Sequence, residues 1–186
     1  MTASVTVLLK AHKAGDAGAL DELAALLYPE LKVMARRRSR EGAGIGATTL
    51  IHETFLKLLA GGDLKAEDRR QFFGLAATIM RQIIIDEIRY VTAGKREGKD
   101  VTFTASVMGD KGHEEAEFLL QVDQMLGQLA QEDERLAKVF ECRYFAGLTT
   151  TETADALGTS ERSVARLWSS ARERMAQLME ENDLGD

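Results

Sequence analysis

Apolar residues recur at intervals of three and four along almost the whole chain, which is the spacing of one face of an α-helix. Leu20, Leu23 and Leu27 begin this pattern, and Asp16 ahead of them is suited to an N-cap. Pro29 is the only proline, and it predicts a bend in this first helix. The pattern predicts an all-α fold.

The helices fall into two groups. The first group includes helices at about 48–59 and 72–92, and four more follow residue 113. Between the groups, residues 101–104 resemble a short strand, but one isolated strand cannot form a sheet. We therefore expect two small helical domains joined by a flexible linker. Their predicted bounds are 1–96 for the N-terminal domain, 97–113 for an acidic linker and 114–182 for the C-terminal domain.

The distribution of charge is more informative than its total. The 24 Lys and Arg residues and 30 Asp and Glu residues give a net charge of −6, which alone argues against a nucleic-acid partner. By segment, however, the net charge is +6 over 31–96, −8 over 100–134 and +2 over 135–174. The acidic block, which includes Asp110, Glu114, Glu115 and Glu117, is a candidate for repelling DNA or covering the basic faces until the domains separate.

The sequence indicates a cytoplasmic protein. Cys142 is the single cysteine and cannot form an internal disulfide, and residues 1–30 lack the pattern of a signal peptide. No window approaches eighteen consecutive apolar residues, so no membrane insertion is expected.

The most specific local pattern predicts a helix-turn-helix near the C-terminus. Thr149 and Glu152 have the spacing of a capping box, Gly158 permits a left-handed turn, and Ser160 can cap the next helix. On that helix one face is apolar and the other is basic and polar, as a helix in the major groove requires. An ordinary helical hairpin is the alternative.

No motif indicates catalysis. His52 and Glu53 do not form a zinc-protease motif, because Leu56 stands where the second histidine would be required. The glycines at 42–46 lack the Lys-Ser/Thr of a phosphate loop. No cofactor or metal is expected, and Cys142 is expected to be a buried small residue. The chain is predicted not to be an enzyme.

Several strings resemble a known family in order along the chain. In the C-terminal half they are Glu141-Cys-Arg-Tyr-Phe-Ala-Gly-Leu-Thr, Glu152-Thr-Ala-Asp-Ala-Leu-Gly and Ser163-Val-Ala-Arg-Leu-Trp-Ser-Ser-Ala-Arg. In the N-terminal half they are Tyr28-Pro-Glu-Leu, Thr49-Leu-Ile-His-Glu-Thr-Phe-Leu-Lys-Leu and Phe72-Phe-Gly-Leu-Ala-Ala-Thr-Ile-Met-Arg-Gln. Both sets are similar to the two domains of bacterial extracytoplasmic-function (ECF) sigma factors.

The resemblance implies a sigma factor that binds core RNA polymerase, recognises the −35 and −10 promoter elements and helps to melt DNA. The implied core-polymerase contacts are His52, Glu53 and Lys57. The implied −10 contacts are Arg69, Arg70, Arg81, Gln82, Arg89, Lys95 and Arg96, and the implied −35 contacts are Arg162, Ser163, Arg166, Ser169 and Ser170. An anti-sigma factor is a further partner that the resemblance allows.

Two departures from the family predict weak intrinsic DNA affinity. Tyr90-Val-Thr-Ala-Gly interrupts the basic run that many relatives have after the long helix, and Ala165 and Ser169 stand where relatives often have Lys and Arg. Arg36, Arg37, Arg38 and Arg40 are candidates for either DNA or the polymerase surface. Two other functions stay open: a stand-alone helix-turn-helix regulator, and a sigma-like protein that binds polymerase without reading DNA.

Overall fold

The structure is a computed structural model that describes residues 4–40, 46–60, 66–96 and 110–183. Every regular element in these ranges is helical, which confirms the predicted all-α class. The elements are α1 (Val5–Lys13), α2 (Ala17–Arg40), α3 (Ala47–Ala60), α4 (Arg69–Arg96), α5 (Asp110–Glu132), α6 (Glu134–Phe140), a π-helical turn (Glu141–Phe145), α7 (Thr150–Leu157) and α8 (Glu161–Asp183).

Helix α1 is the element that the sequence patterns did not predict. Ser4 caps it by accepting a hydrogen bond from the Val7 backbone N–H, and it buries Val5, Leu8 and Leu9 against the core. Nine residues contain too few turns for a clear helical period, so the spacing of its apolar residues carried little signal.

Helix α2 continues through Pro29, so the proline does not end the helix. Asp16 accepts a hydrogen bond from Gly18 N–H at 2.9 Å, in agreement with its predicted capping role. Buried Leu23, Leu27 and Leu31 hold the helix against its neighbours, and this packing offsets the backbone hydrogen bond that proline cannot make.

The segment between the two halves is shorter than the sequence indicated. Helix α4 extends to Arg96 rather than ending near residue 92, and α5 already begins at Asp110, inside the predicted linker. The rest of that linker, with the strand-like residues 101–104, lies outside the described residues, as do the glycines at 42–45 and 61–62.

The two halves share one hydrophobic core. Buried side chains from Val5 in α1 to Leu178 in α8 belong to a single connected cluster. In the N-terminal half α1 packs on α2, α2 on α3 and α3 on α4. Helix α4 also packs against α5, the π-helical turn and α7, so it is the element on which both halves meet.

The C-terminal half is organised by its helix ends. Thr149 and Glu152 form the predicted capping box at the start of α7, Gly158 ends α7 with a φ of 64°, and Ser160 accepts a hydrogen bond from Ser163 N–H at 3.1 Å. In α5, Phe118 is 43% exposed, while its neighbour Leu119 is buried. No helix among the described residues has the length and apolarity needed to cross a bilayer.

Substitution by alanine is expected to have opposite effects on the free energy of unfolding at two glycines. Gly127 is exposed inside α5, and a Cβ there would meet no atom within 4 Å, so Gly127→Ala should raise the free energy of unfolding by roughly 0.5–1 kcal/mol through helix propensity. Gly158→Ala should lower it by about 1 kcal/mol, because Gly158 is left-handed. Urea denaturation of both variants measures the difference, and equal shifts of the same sign would contradict it.

Candidate nucleic-acid interface

Helix α8 presents a polar face opposite the one it buries. Val164, Ala171 and Met175 are buried against the rest of the C-terminal half, and half-buried Trp168 packs beside them. The predicted −35 residues on the other face are exposed: they are Arg162, Arg166, Ser169 and Ser170. The structure therefore brings four of the five predicted −35 residues together on one accessible surface.

Ser163 has a structural role in addition to the predicted one. Its backbone N–H is capped by Ser160, and its hydroxyl lies 2.9 Å from the Ser160 hydroxyl. Its side chain is half-buried, in contrast to its exposed neighbours. Ser163 lies in the first turn of α8, where backbone N–H groups have no partner within the helix. The Ser160 side chain supplies the missing acceptor.

Sequence reasoning missed Arg172 on the flank of the same helix. Arg172 is exposed, and its guanidinium lies 5.9 Å from the centroid of the Trp168 ring. Exposed Glu173 follows it one turn beyond Ser169 and Ser170. A carboxylate repels phosphate, so the surface around Glu173 is less suited to a phosphate than the surface that carries Arg162 and Arg166.

Helix α3 exposes the three residues predicted to bind polymerase. His52, Glu53 and Lys57 are all exposed, and Lys57 Nζ lies 3.3 Å from Asp86 Oδ2 of α4. Leu56, which the sequence patterns left unassigned, lies among them with 60% of its surface exposed. The sequence contained a partial signal of its exposure, because Leu56 is out of phase with the buried residues of α3.

The predicted −10 residues of α4 do not form one accessible face. Arg69 pairs with Glu30 of α2, and its guanidinium lies 4.9 Å from the Phe73 ring centroid. Gln82 is exposed. Lys95 and Arg96 lie within α4, but their side chains are outside the described part of the chain.

The remaining −10 candidates lie on a face of α4 that contacts the C-terminal half. We call this the contact face, and its residues are Arg70, Gly74, Thr78, Arg81 and Arg89. At its first end, a Cβ on Gly158 would lie 3.5 Å from Arg70 Nη1, and a Cβ on Gly74 would lie 3.9 Å from the Ala156 carbonyl oxygen. The turn before α8 and the end of α7 therefore lie against α4.

The other end of the contact face is held by carboxylates. Thr78 donates a hydrogen bond to Glu141 Oε2 at 2.8 Å, and the Arg81 guanidinium lies 3.2 Å from Glu141 Oε1. Asp123 of α5 accepts from Arg81 at 2.7 Å and from Arg89 at 3.2 Å. Glu141 is buried, at 4% exposure, so its contact with Thr78 and Arg81 is mostly removed from water.

A third contact joins α2 to the start of α7. Arg37 Nη1 donates to Glu152 Oε2 at 2.6 Å and to the Gly147 carbonyl oxygen at 3.3 Å. Burial opposes ionisation of Glu152, but hydrogen bonds from Thr149 and Arg37 outweigh burial and hold the pKa of Glu152 below its usual value. Arg37 thus contacts the C-terminal half in this structure rather than presenting a free guanidinium.

A cleft of about 750 Å³ lies between the two halves, next to these contacts. Its apolar lining residues are Pro29, Val33, Met34, Phe73, Leu148 and Ala156, and its charged ones include Glu30, Arg37, Arg69, Arg70, Glu152 and Asp155. The lining of the cleft therefore combines apolar side chains with charges of both signs.

Cys142 is not suited to act as a nucleophile. It is 1% exposed, and burial together with the neighbouring Glu141 carboxylate raises the pKa of its thiol to about 12. At neutral pH almost all of this thiol is protonated. Within the described ranges, no group of three or more His, Cys, Asp and Glu side chains is arranged to hold a metal ion.

Comparison with known protein families finds a match that covers nearly the whole chain. Residues 2–181 match the model of the ECF sigma factors. The comparison with curated proteins gives no match. The match includes α8 with its exposed arginines, α3 with its exposed stripe and the long α4. The chain therefore belongs to the ECF sigma factor family, whose members act with RNA polymerase and promoter DNA in transcription initiation.

Proposed function

We propose that this sigma factor divides promoter recognition between its two halves. Helix α8 reads the −35 element, α3 binds core polymerase, and α4 with the loop before it recognises the −10 element and helps to melt the duplex. The observation that carries the proposal is the exposed polar face of α8, opposite a mostly buried apolar face, in a chain that matches the ECF family from residue 2 to 181.

The −35 assignment is supported by the chemistry of α8. Exposed Arg162 and Arg166 are one helical turn apart, so both guanidiniums can reach the same stretch of major groove. Arginine can bond guanine edges or phosphates, and the hydroxyls of Ser169 and Ser170 can donate to either. The buried face fixes the orientation of α8 relative to the rest of the C-terminal half. A fixed orientation holds the same side chains towards the DNA, which sequence-specific binding requires.

The polymerase assignment is supported by the exposed surface of α3. Leu56 is apolar and 60% exposed, with charged or polar His52, Glu53 and Lys57 around it. An apolar residue with polar residues around it matches the apolar centre and polar rim of a protein interface. The proposed contact area therefore centres on Leu56.

The −10 assignment is supported by the density of arginines on α4. Single-stranded DNA binds where cations follow its phosphates and side chains accept unstacked bases. Arg70, Arg81 and Arg89 supply cations along one side of the helix, and Gln82 adds a group that can bond a base. In the free chain Arg81 pairs with Asp123 and Glu141 of the C-terminal half, whereas Arg70 and Arg89 are exposed.

Reconstituted transcription tests the proposed function directly. Purified chain added to sigma-free core polymerase should produce promoter-specific RNA from a template library, with start sites mapped by sequencing. Specific DNA binding by the chain alone without transcription would favour a stand-alone regulator. Competition with another sigma factor for core, without RNA synthesis, would favour a sigma-like protein that does not read DNA.

Arg166→Ala should lower transcription from a mapped target promoter by roughly tenfold to a hundredfold, because a guanidinium contact to a base edge contributes about 1–3 kcal/mol. Core binding should be unchanged. Arg135→Ala is the matched control, since Arg135 is also an exposed arginine of the C-terminal half but lies outside α8. Unchanged transcription with Arg166→Ala would contradict the assignment.

Leu56→Ala should weaken binding to core polymerase by about tenfold, because truncation of a central apolar contact removes more than about 1 kcal/mol of binding free energy. Folding stability should change little, since Leu56 is mostly exposed. Val7→Ala on α1 is the control, with 56% of its surface exposed. A fluorescence competition titration with core polymerase measures both, and equal affinities would exclude Leu56 from the interface.

A further inference from the structure

The second half of helix α4 keeps a narrow exposed stripe between its buried residues. The stripe residues follow one another at helical spacing, so they lie within an arc of about 100° on one side of the helix. We call them the α4 stripe, and they are Gln82, Asp86, Arg89, Tyr90 and Ala93. Ile84 and Ile88 between them are buried. The α4 stripe is therefore the part of this segment that a partner can reach.

Tyr90 is the aromatic residue of the α4 stripe. It is 61% exposed, the largest fraction among the exposed large apolar and aromatic residues that the structure describes. Within the described ranges, its ring stacks on no other aromatic ring. A single exposed ring is common on protein surfaces and does not by itself indicate a ligand. The charges and hydrogen-bonding groups around Tyr90 supply that indication.

A cation and an amide lie on the same stripe as the Tyr90 ring. Arg89 has 63% of its side chain exposed, and its Nη2 pairs with Asp123 Oδ2 at 3.2 Å. A guanidinium has five N–H donors, so Arg89 can hold a phosphate as well. Gln82 lies two turns earlier, and its exposed amide can donate and accept hydrogen bonds. A cation beside an aromatic ring is the combination that binds a strand whose bases are unstacked.

The carboxylate of Asp86 favours a base over a phosphate at Tyr90. Asp86 lies one turn before Tyr90, and it pairs with Lys57 Nζ of α3 at 3.3 Å. This pair is exposed, so water screens it and the carboxylate keeps part of its repulsion of phosphate. A base carries no charge and is not repelled. A phosphate is therefore better placed at Arg89, and a base at Tyr90.

We propose that Tyr90 stacks on an unpaired base of the melted −10 strand, while Arg89 contacts a neighbouring phosphate. The proposal rests on the proposed function, because it assumes that α4 binds the −10 strand. In a duplex both faces of each base are covered by stacking on its neighbours. The Tyr90 contact therefore forms only after the strands separate, and it stabilises the open promoter complex relative to the closed one.

The expected size of the effect follows from the stacking of bases on aromatic side chains. Removing one such contact lowers affinity by roughly fivefold to a hundredfold. Stacking tolerates any base, so loss of the Tyr90 ring should reduce opening at different promoters alike. Stacking also releases no counterions. Tyr90→Ala should therefore leave the salt dependence of promoter binding unchanged, whereas Arg89→Ala should reduce its slope by about 0.7 for one single-strand phosphate.

The test uses the full chain reconstituted with core polymerase on a mapped target promoter. Each position of the −10 element is replaced in turn by 2-aminopurine, which fluoresces strongly when unstacked and weakly when stacked. Tyr90→Phe keeps the ring, Tyr90→Leu keeps an apolar side chain without a ring, and Tyr90→Ala removes both. Phe118→Ala is the matched control, because Phe118 is an exposed aromatic residue of α5 outside the α4 stripe.

We expect one −10 position to fluoresce weakly in open complexes of the wild type and of Tyr90→Phe, and strongly with Tyr90→Leu. The equilibrium constant for opening, measured by permanganate reactivity of unpaired thymines, should fall about tenfold with Tyr90→Leu and Tyr90→Ala. It should stay close to the wild-type value with Tyr90→Phe and Phe118→Ala. Wild-type opening by Tyr90→Leu, or a loss with Tyr90→Phe equal to that with Tyr90→Ala, would overturn the proposal.

A template that is already open separates stacking from a contact with polymerase. With mismatches across the −10 element, transcription by Tyr90→Ala should approach that of the wild type, because strand separation no longer limits initiation. The affinity of Tyr90→Ala for core polymerase, from the competition titration, should equal that of the wild type. An equal deficit on duplex and mismatched templates, or a loss of core affinity that accounts for the deficit, would refute the stacking role.

Transcription by the wild type separates this proposal from the proposed function. If the wild type produces promoter-specific RNA and Tyr90→Leu opens promoters equally well, the stacking role is wrong and the sigma function stands. If the wild type produces no promoter-specific RNA, the proposed function is wrong, and the role of Tyr90 falls with it.

Discussion

Packing of the two halves against α4 is the constraint on which the rest of the structure depends. Its buried residues lie on several sides of the helix and include Phe73, Ile79, Met80, Ile84 and Ile85. A helix that is apolar on more than one side must be covered on more than one side. Helix α3 covers α4 within the N-terminal half, and α5, α7 and the π-helical turn cover it from the C-terminal half.

This packing has a consequence for the arginines of α4. Burying the apolar sides of the helix brings its polar residues close to whatever the C-terminal half presents at the edges of the contact. At those edges lie Asp123 and Glu141, so Arg81 pairs with two carboxylates and Arg89, with 63% of its side chain exposed, pairs with Asp123. The basic charge of the N-terminal half and the acidic charge beyond it are thereby partly neutralised within the molecule.

Local features could be predicted well from the sequence. The capping box at Thr149, the left-handed Gly158 and the cap at Ser160 each depend on residues no more than four positions apart. The polar face of α8 follows from the same helical period, and so does the exposed stripe of α3. Helix α1 was missed because nine residues contain too few turns to show a clear period, and Leu56 was left unassigned although it is out of phase with the buried residues of α3.

The sequence by itself determined the helical class and the helix ends of the C-terminal half, because these depend on short-range spacing and backbone geometry. The candidate residues of each surface came from resemblance to the family. Only the tertiary structure decided which of those candidates are accessible. Arg81 and Glu141 are 60 residues apart, and Arg37 and Glu152 are 115 apart. Charges at such separations interact through the placement of whole helices, which is set by the packing of many apolar side chains around α4 and has no counterpart in any local pattern.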